Sequence, residues 1–233
     1  MNEHFKFANM KKICMIGLVA LCAAMTATAQ TNGKDPVWQK RATYLNVGLV
    51  QQDLSGDLLD NTLTAEQGFG LSWGRTFYLH KKPISRVFKV GLDWTWLDLS
   101  AAQYAAETSG DNGIFQADAA MQIGPSITVN PFGRVKLAGY AHFVPTYSSI
   151  LVHDQMAYGF VKFYNYGATL SWRLLSVGVE YRKGLDPDAE YKVIDYEKAK
   201  EGVEEGKTPS LDSTGKAVFS NNNTVRFFVG LRF

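Results

Sequence analysis

The last ten residues, Thr224-Val-Arg-Phe-Phe-Val-Gly-Leu-Arg-Phe233, decide the fold. Val225, Phe227, Val229, Leu231 and Phe233 share one face of an extended chain; Thr224, Arg226, Phe228, Gly230 and Arg232 share the other. A period of two marks a β-strand, because successive side chains leave the pleat on opposite sides. The pattern recurs upstream. Leu175, Val177, Val179 and Tyr181 oppose Ser176, Gly178, Glu180 and Arg182, and Tyr164, Tyr166, Ala168, Leu170 and Trp172 oppose Asn165, Gly167, Thr169 and Ser171. Phe88, Val90, Leu92, Trp94 and Trp96 oppose Lys89, Gly91, Asp93 and Thr95 in the same way. Eight segments carry it: 42–52, 67–80, 86–98, 114–129, 133–147, 159–173, 175–184 and 222–233. Each can supply the roughly 9–11 residues of a tilted transmembrane strand.

Alternation alone does not say which face is inside. A soluble barrel turns its apolar face inward, and a membrane barrel turns it outward. The connections favour the membrane form. Short links around Lys81-Lys82-Pro83, Asn130-Pro131-Phe132 and Leu174 alternate with long ones over 53–66, 99–113, 148–158 and 185–221. Membrane barrels pair short periplasmic turns with long outer loops. With the chain starting on the periplasmic side, Phe77, Phe88, Trp172 and Phe233 fall at the inner rim. Trp94, Trp96, Phe115, Phe143, Tyr164, Tyr166 and Tyr181 then fall at the outer rim, giving two aromatic girdles. The expected fold is all-β: an eight-stranded antiparallel up-and-down transmembrane barrel.

The chain opens with Lys6, Lys11 and Lys12, an apolar run from Ile13 to Ala24, and Ala27-Thr28-Ala29. That is the pattern of a secretory signal, too short to span a bilayer as a helix. Cleavage after Ala29 is expected, leaving 30–41 as a periplasmic segment and 42–233 as the barrel. Both cysteines, Cys14 and Cys22, fall in the signal, so the mature chain is expected to hold no disulfide and no thiolate metal site. The mature segment keeps 21 basic and 21 acidic residues. That balance gives no basic face for nucleic acid.

Inward positions collect Lys89, Asp93, Asp118, Gln122, Lys136, Tyr140, His142, Glu180, Arg182, Arg226 and Arg232. Eight strands leave room for side chains but little for a channel, so these residues are expected to satisfy one another. Glycines in the same rows, Gly167 and Gly178 among them, are expected to relieve crowding. Arg75 shares parity with Phe69, Leu71 and Trp73 and should face lipid. Either it snorkels to the periplasmic headgroups, or a bulge shifts the parity there.

Loop 185–221 holds nine acidic and five basic residues. Within it Tyr191 and Val193, then Ala217 and Phe219, can extend the last two strands beyond the membrane, with a helical turn possible from Asp195 to Glu205. A loop of that length is a candidate contact for an extracellular partner. Asp53 to Asp60 superficially resembles a calcium loop, but Gly56 comes early and Thr64 replaces the bidentate Glu. His153, Asp154 and Ser148 or Ser149 could be imagined as a hydrolase set at the outer rim. No phosphate loop, dinucleotide fingerprint or zinc spacing is present. No catalytic, cofactor-binding or metal-binding residue is therefore assigned.

The closing segment resembles the carboxy-terminal signal of outer-membrane barrel proteins, which ends in Phe after alternating apolar positions. That resemblance implies recognition of the last strand, through Phe233, by the barrel-assembly machinery. Across residues 40–233 the architecture resembles small outer-membrane barrels of the OmpA-like and OmpX-like kind. The resemblance implies a Gram-negative outer membrane, contact with its lipid, and here no periplasmic domain after the barrel. A structural or surface-interaction role is the first functional expectation. A small-ligand or lipid transport barrel is the second, and a lipid-modifying enzyme the third.

Overall fold

A computed structural model describes residues 41–59, 62–84, 87–104, 113–132, 134–152, 155–185, 189–195 and 215–233. The expected signal 1–29, the expected periplasmic segment 30–41 up to residue 40, and His153 and Asp154 lie outside them; Arg41, the last residue of that segment, opens the first strand instead. Eight strands form a ring: β1 (Arg41–Gly56), β2 (Leu63–Tyr78), β3 (Phe88–Tyr104), β4 (Phe115–Val129), β5 (Val135–Val152), β6 (Gln155–Trp172), β7 (Leu175–Gly184) and β9 (Gly215–Arg232). Each pairs antiparallel with its neighbour, β7 pairs with β9, and β9 pairs back with β1. The closing seam sets Leu45 opposite Leu231, Val47 opposite Val229 and Leu49 opposite Phe227. The Thr43 N–H donates to the Phe233 carbonyl at 2.7 Å, and the Phe233 N–H returns a bond to Thr43 at 2.9 Å. So the alternating last strand is the one that closes the wall. Among the described residues closure leaves the ring without an unpaired edge, the condition for a sheet to sit in lipid.

The outer surface is apolar. Leu92, Ile123, Ile127, Leu137, Leu170, Val177, Phe227 and Val229 are all exposed on it. Their alternating neighbours Asp93, Gln122, Ser126, Thr169, Ser176 and Arg226 are buried inside. This is the inverse of a soluble barrel and follows from lipid replacing water outside.

Most ring strands are longer than a crossing requires. Those of β5, β6 and β9 run to 18 residues each. The surplus lies at the outer ends, which corrects the sequence reading: β1 reaches Gly56, β3 reaches Tyr104, and β5 and β6 extend to Val152 and from Gln155. Parts of the expected loops 53–66, 99–113 and 148–158 are therefore wall. The same correction applies to 185–221. Within it, β8 (Ala189–Asp195) fills the gap above the short β7, pairing with β6 at Tyr158↔Lys192 and with β9 at Tyr191↔Ala217. The extension expected at Tyr191, Val193, Ala217 and Phe219 is present. Asp195 belongs to β8, and 196–205 lies outside the described residues.

One irregularity shapes the interior. Trp73 pairs with Leu97 and Gly74 with Thr95, so Trp96 is an extra residue, a β-bulge in β3. Beyond it the parity of β3 flips, and Asp98 and Ser100 are buried inside the ring. The Trp96 ring stays on the lipid side, edge-on to Trp73 at 5.7 Å. It also lies 5.8 Å from the Arg75 guanidinium, whose Nε donates to Thr43 Oγ1 at 2.9 Å. Arg75 thus keeps its outward parity. The bulge sits in the adjacent strand and gives the cation an aromatic cover. Trp94 and Trp96 were expected at the outer rim, but they are the seventh and ninth of the 17 residues of β3. The extra length of β3 above them moves both toward the middle of the wall.

Candidate functional site

Two stacked tiers fill the barrel interior. The lower one is polar and centred on Asp98. Its Oδ1 accepts from Arg226 Nη1 at 2.7 Å, and its Oδ2 accepts from Arg182 Nη2 and Gln122 Nε2. Arg226 Nη2 donates to Ser100 at 2.8 Å. Gln122 Oε1 accepts from Asn165 at 2.9 Å and lies 2.9 Å from His142 Nδ1. His142 Nε2 is 3.4 Å from Asp93, which also accepts from Ser126 at 2.8 Å. The His142 ring stacks on Tyr140 at 4.6 Å, and the Tyr140 hydroxyl donates to Glu180 at 2.8 Å. This connected network spans β3, β4, β5, β6, β7 and β9. Nearer the inner rim, Arg232 lies 5.2 Å from the Tyr44 ring, and Lys89 lies 5.0 Å from the Tyr78 ring.

Such a network is what the mixed inward charge predicted, because buried charges persist only when paired. Sequence reasoning nevertheless missed its hub. By simple alternation with Leu92 and Trp94, Asp98 faces lipid; only the bulge at Trp96 turns it inward. Tyr140 and Phe228 lie over their cross-strand partners Gly167 and Gly178, where a Cβ would collide with the rings. These two glycines do relieve crowding, as expected.

The upper tier is apolar. Leu54, Ala102, Tyr104, Ile114, Val144, Ile150, Val161, Phe163, Tyr191 and Phe219 pack together inside the outer ends of the strands. Tyr191 and Phe219, diagonal neighbours in the β8–β9 pairing, meet edge-on at 5.1 Å. Outside this tier the wall is mixed: Gln103, Lys162, Lys183, Lys192 and Lys216 are exposed alongside Phe115, Tyr147, Leu151 and Phe160. The inward face therefore changes from polar to apolar along a single strand. In β6 the residues from Trp172 to Tyr164 put even numbers in lipid and polar odd numbers inside; from Phe163 upward the odd numbers are the apolar core. The change is readable in sequence as apolar Phe163 and Val161 on either side of the outward Lys162.

At the junction the Tyr104 hydroxyl donates to Gln116 at 2.9 Å, and Gln116 Nε2 donates to Asp118 and Ser148 at 3.0 and 3.1 Å. Ser148 is thus fully enclosed, whereas Ser149 lies on the opposite side of β5. The two serines do not converge, and neither joins a described acid–base pair at the outer rim. In the first outer connection Asp53 accepts from Thr64 at 2.8 Å, and Asp57 accepts from the Val218 N–H at 3.2 Å. Both carboxylates tie strands together. A cavity between β1, β2 and the Arg226–Glu180 region measures ≈ 10 Å³, about the space of one water.

A closed antiparallel ring with a lipid-compatible exterior and a paired polar interior defines a membrane-spanning β-barrel of the outer-membrane kind. No family model and no curated protein matches the chain. Among solved structures it is similar to Ail, the attachment invasion locus protein of Yersinia pestis, in complex with the heparin analogue sucrose octasulfate. The identity there is 12%, over 84% of this chain and 100% of that one, with a TM-score of 0.41. It is also similar to Neisserial surface protein A (12% identity, 82% and 97% covered, TM-score 0.42). A third likeness is to the outer membrane enzyme PagL (12% identity, 81% and 98% covered, TM-score 0.36). These names span an attachment protein, a surface protein and an enzyme, and a shared architecture assigns no role.

Proposed function

We propose that this barrel is a non-catalytic surface-display protein: a closed scaffold that holds an extended outer sleeve and the 185–221 connection beyond the outer leaflet, for contact with an extracellular partner. The observation that carries the reading is the filled interior. Asp98 and its two arginines occupy the middle, and Tyr191, Phe219, Ile150 and Tyr104 occupy the outer mouth. A channel or ligand barrel keeps space there; a display scaffold has no use for it. Continued strand pairing through β8 and β9 makes the sleeve a rigid platform, and platforms of this kind position binding loops. Assembly through the strand ending in Phe233, and lipid around the apolar wall, complete the set of partners.

The test compares the intact protein with a variant lacking 196–214, both inserted in planar bilayers and displayed on cells. The expected result is no ion conductance from either form, with adhesion to a host-cell or matrix surface lost on deletion. Steady conductance by the intact protein, or adhesion unaffected by the deletion, would overturn the reading.

A further inference from the structure

The two ends of the barrel differ in charge. The inner turns 79–87, 130–134 and 173–174 contain Lys81, Lys82, Arg86, Arg134 and Arg173 and no Asp or Glu. At the outer end the 185–221 connection alone holds nine acidic residues. Two of the inner turns touch. Just below the pair Val135↔Trp172, the Arg173 N–H donates to the Arg134 carbonyl at 3.3 Å, so the two arginines occupy facing positions on the rim. Both are exposed. The Arg173 guanidinium lies 5.5 Å from the ring of Trp172, which is 60% exposed on the lipid face. That contact fixes the cation on the outside of the wall, at the level where an interfacial tryptophan meets headgroups.

Arg173 also has φ = 55°, the left-handed region, in the two-residue turn between β6 and β7. Glycine or asparagine is the ordinary occupant of such a position. An arginine held there against its backbone preference suggests a use for the side chain.

We propose that Arg134 and Arg173 form a binding site for the phosphate of an anionic glycerophospholipid in the periplasmic leaflet, with Trp172 and Phe132 against its glycerol and upper acyl chains. Guanidinium groups present paired donors to phosphate oxygens and are weakly hydrated, which suits them to an interface. Phe132, 70% exposed beside Arg134, adds the apolar contact.

The experiment is native mass spectrometry of the protein extracted from its membranes in mild detergent. Phosphatidylglycerol or phosphatidylcholine with identical acyl chains is titrated in. One phosphatidylglycerol should be retained at a concentration roughly tenfold lower than phosphatidylcholine, the scale expected when two basic groups meet an anionic headgroup. Arg134→Gln combined with Arg173→Gly should abolish the preference; the glycine accepts the positive φ, so folding is preserved and is checked by the compact gel mobility of the unboiled barrel. Lys81→Gln with Lys82→Gln, on a different turn, should leave the preference intact. Equal retention of the two lipids by the unmodified protein would overturn the proposal. So would a preference that survives the double arginine change, or displacement of the lipid by equimolar inorganic phosphate.

Discussion

The lower and upper tiers of this barrel solve one packing problem in opposite ways. Below, the wall meets lipid, so apolar side chains face out and the interior is left to Asp98, Arg182, Arg226, Glu180 and their hydrogen-bond partners. Above, the outward face is mixed, with Lys162, Lys183 and Lys216 exposed beside Phe160 and Leu151, and the interior is the apolar cluster of Phe163, Ile150, Tyr191 and Phe219. The lower tier derives specificity from directional bonds; the upper derives cohesion from apolar area, about 25 cal/mol per Å² removed from water.

The contrast puts the largest loss at the hub of the polar tier. Asp98→Ala leaves the buried Arg182 and Arg226 without their shared carboxylate. Removing one partner from a buried charge cluster costs about 3–5 kcal/mol. Reversible urea unfolding from lipid vesicles should show that loss in the whole transition. A change below about 1 kcal/mol would mean the network contributes little and the polar tier is passive filler.

The next effect tests the outer face below Phe163. Leu170→Arg sets a cation in lipid and should cost about 2–4 kcal/mol if the site is near the midplane. The natural contrast, arginine at Thr169, is less informative than alternation suggests. Thr169 is fully enclosed and accepts from Arg232 at 3.4 Å, so the added bulk has nowhere to go. Thr169→Ser is the proper inward control and should leave insertion and stability nearly unchanged. Equal penalties at Leu170→Arg and Thr169→Ser would undo the assignment of faces.

Much of this was legible in the sequence, and the boundary of legibility is itself physical. Strand order, the short inner turns and the inward charges follow from period two, because one lipid-facing rule holds across the bilayer. Strand lengths did not follow. Above Phe163 apolar residues fall on both faces, so a search for apolar-out, polar-in alternation takes β1 beyond Gln52 and β3 beyond Asp98 for loop. Asp98 was hidden for a related reason, since a bulge shifts parity without any change in composition. Of the candidate catalytic set, Ser148 and Ser149 differ by one position in a strand, and alternation alone puts them on opposite sides of the wall.

A smaller change probes the upper tier by itself. Ile150→Val removes one methylene from a fully buried side chain and should cost about 0.5–1.5 kcal/mol. The tier is joined to the membrane section mainly by continuous strands, so the effect is expected to be local. Hydrogen exchange should quicken at the amides of β8 and the upper part of β9, with those of 224–231 unchanged. Uniform quickening through both tiers would show that they melt as one cooperative unit, and the division at Phe163 would be one of interior composition alone.

The smallest effect lies on the outside of the sleeve. Lys216 donates to Glu190 at 2.7 Å, both on the water-facing side of the wall. The bond holds the Glu190 carboxyl below its ordinary value and the Lys216 ammonium above its own. The signs follow from linkage. The glutamate's share is present above the ordinary carboxylate range and is lost as pH falls through its lowered value. The lysine's share is present below the ordinary ammonium range and is lost as pH rises through its raised value. Both groups are fully solvated, so screening removes most of the attraction. Glu190→Gln should therefore leave the thermal midpoint unchanged at neutral pH and in acid alike. A deficit at neutral pH that disappears on acidification, and shrinks with added salt, would instead make this pair a real clasp between β8 and β9. The upper tier would then owe its hold to charge as well as to its apolar core.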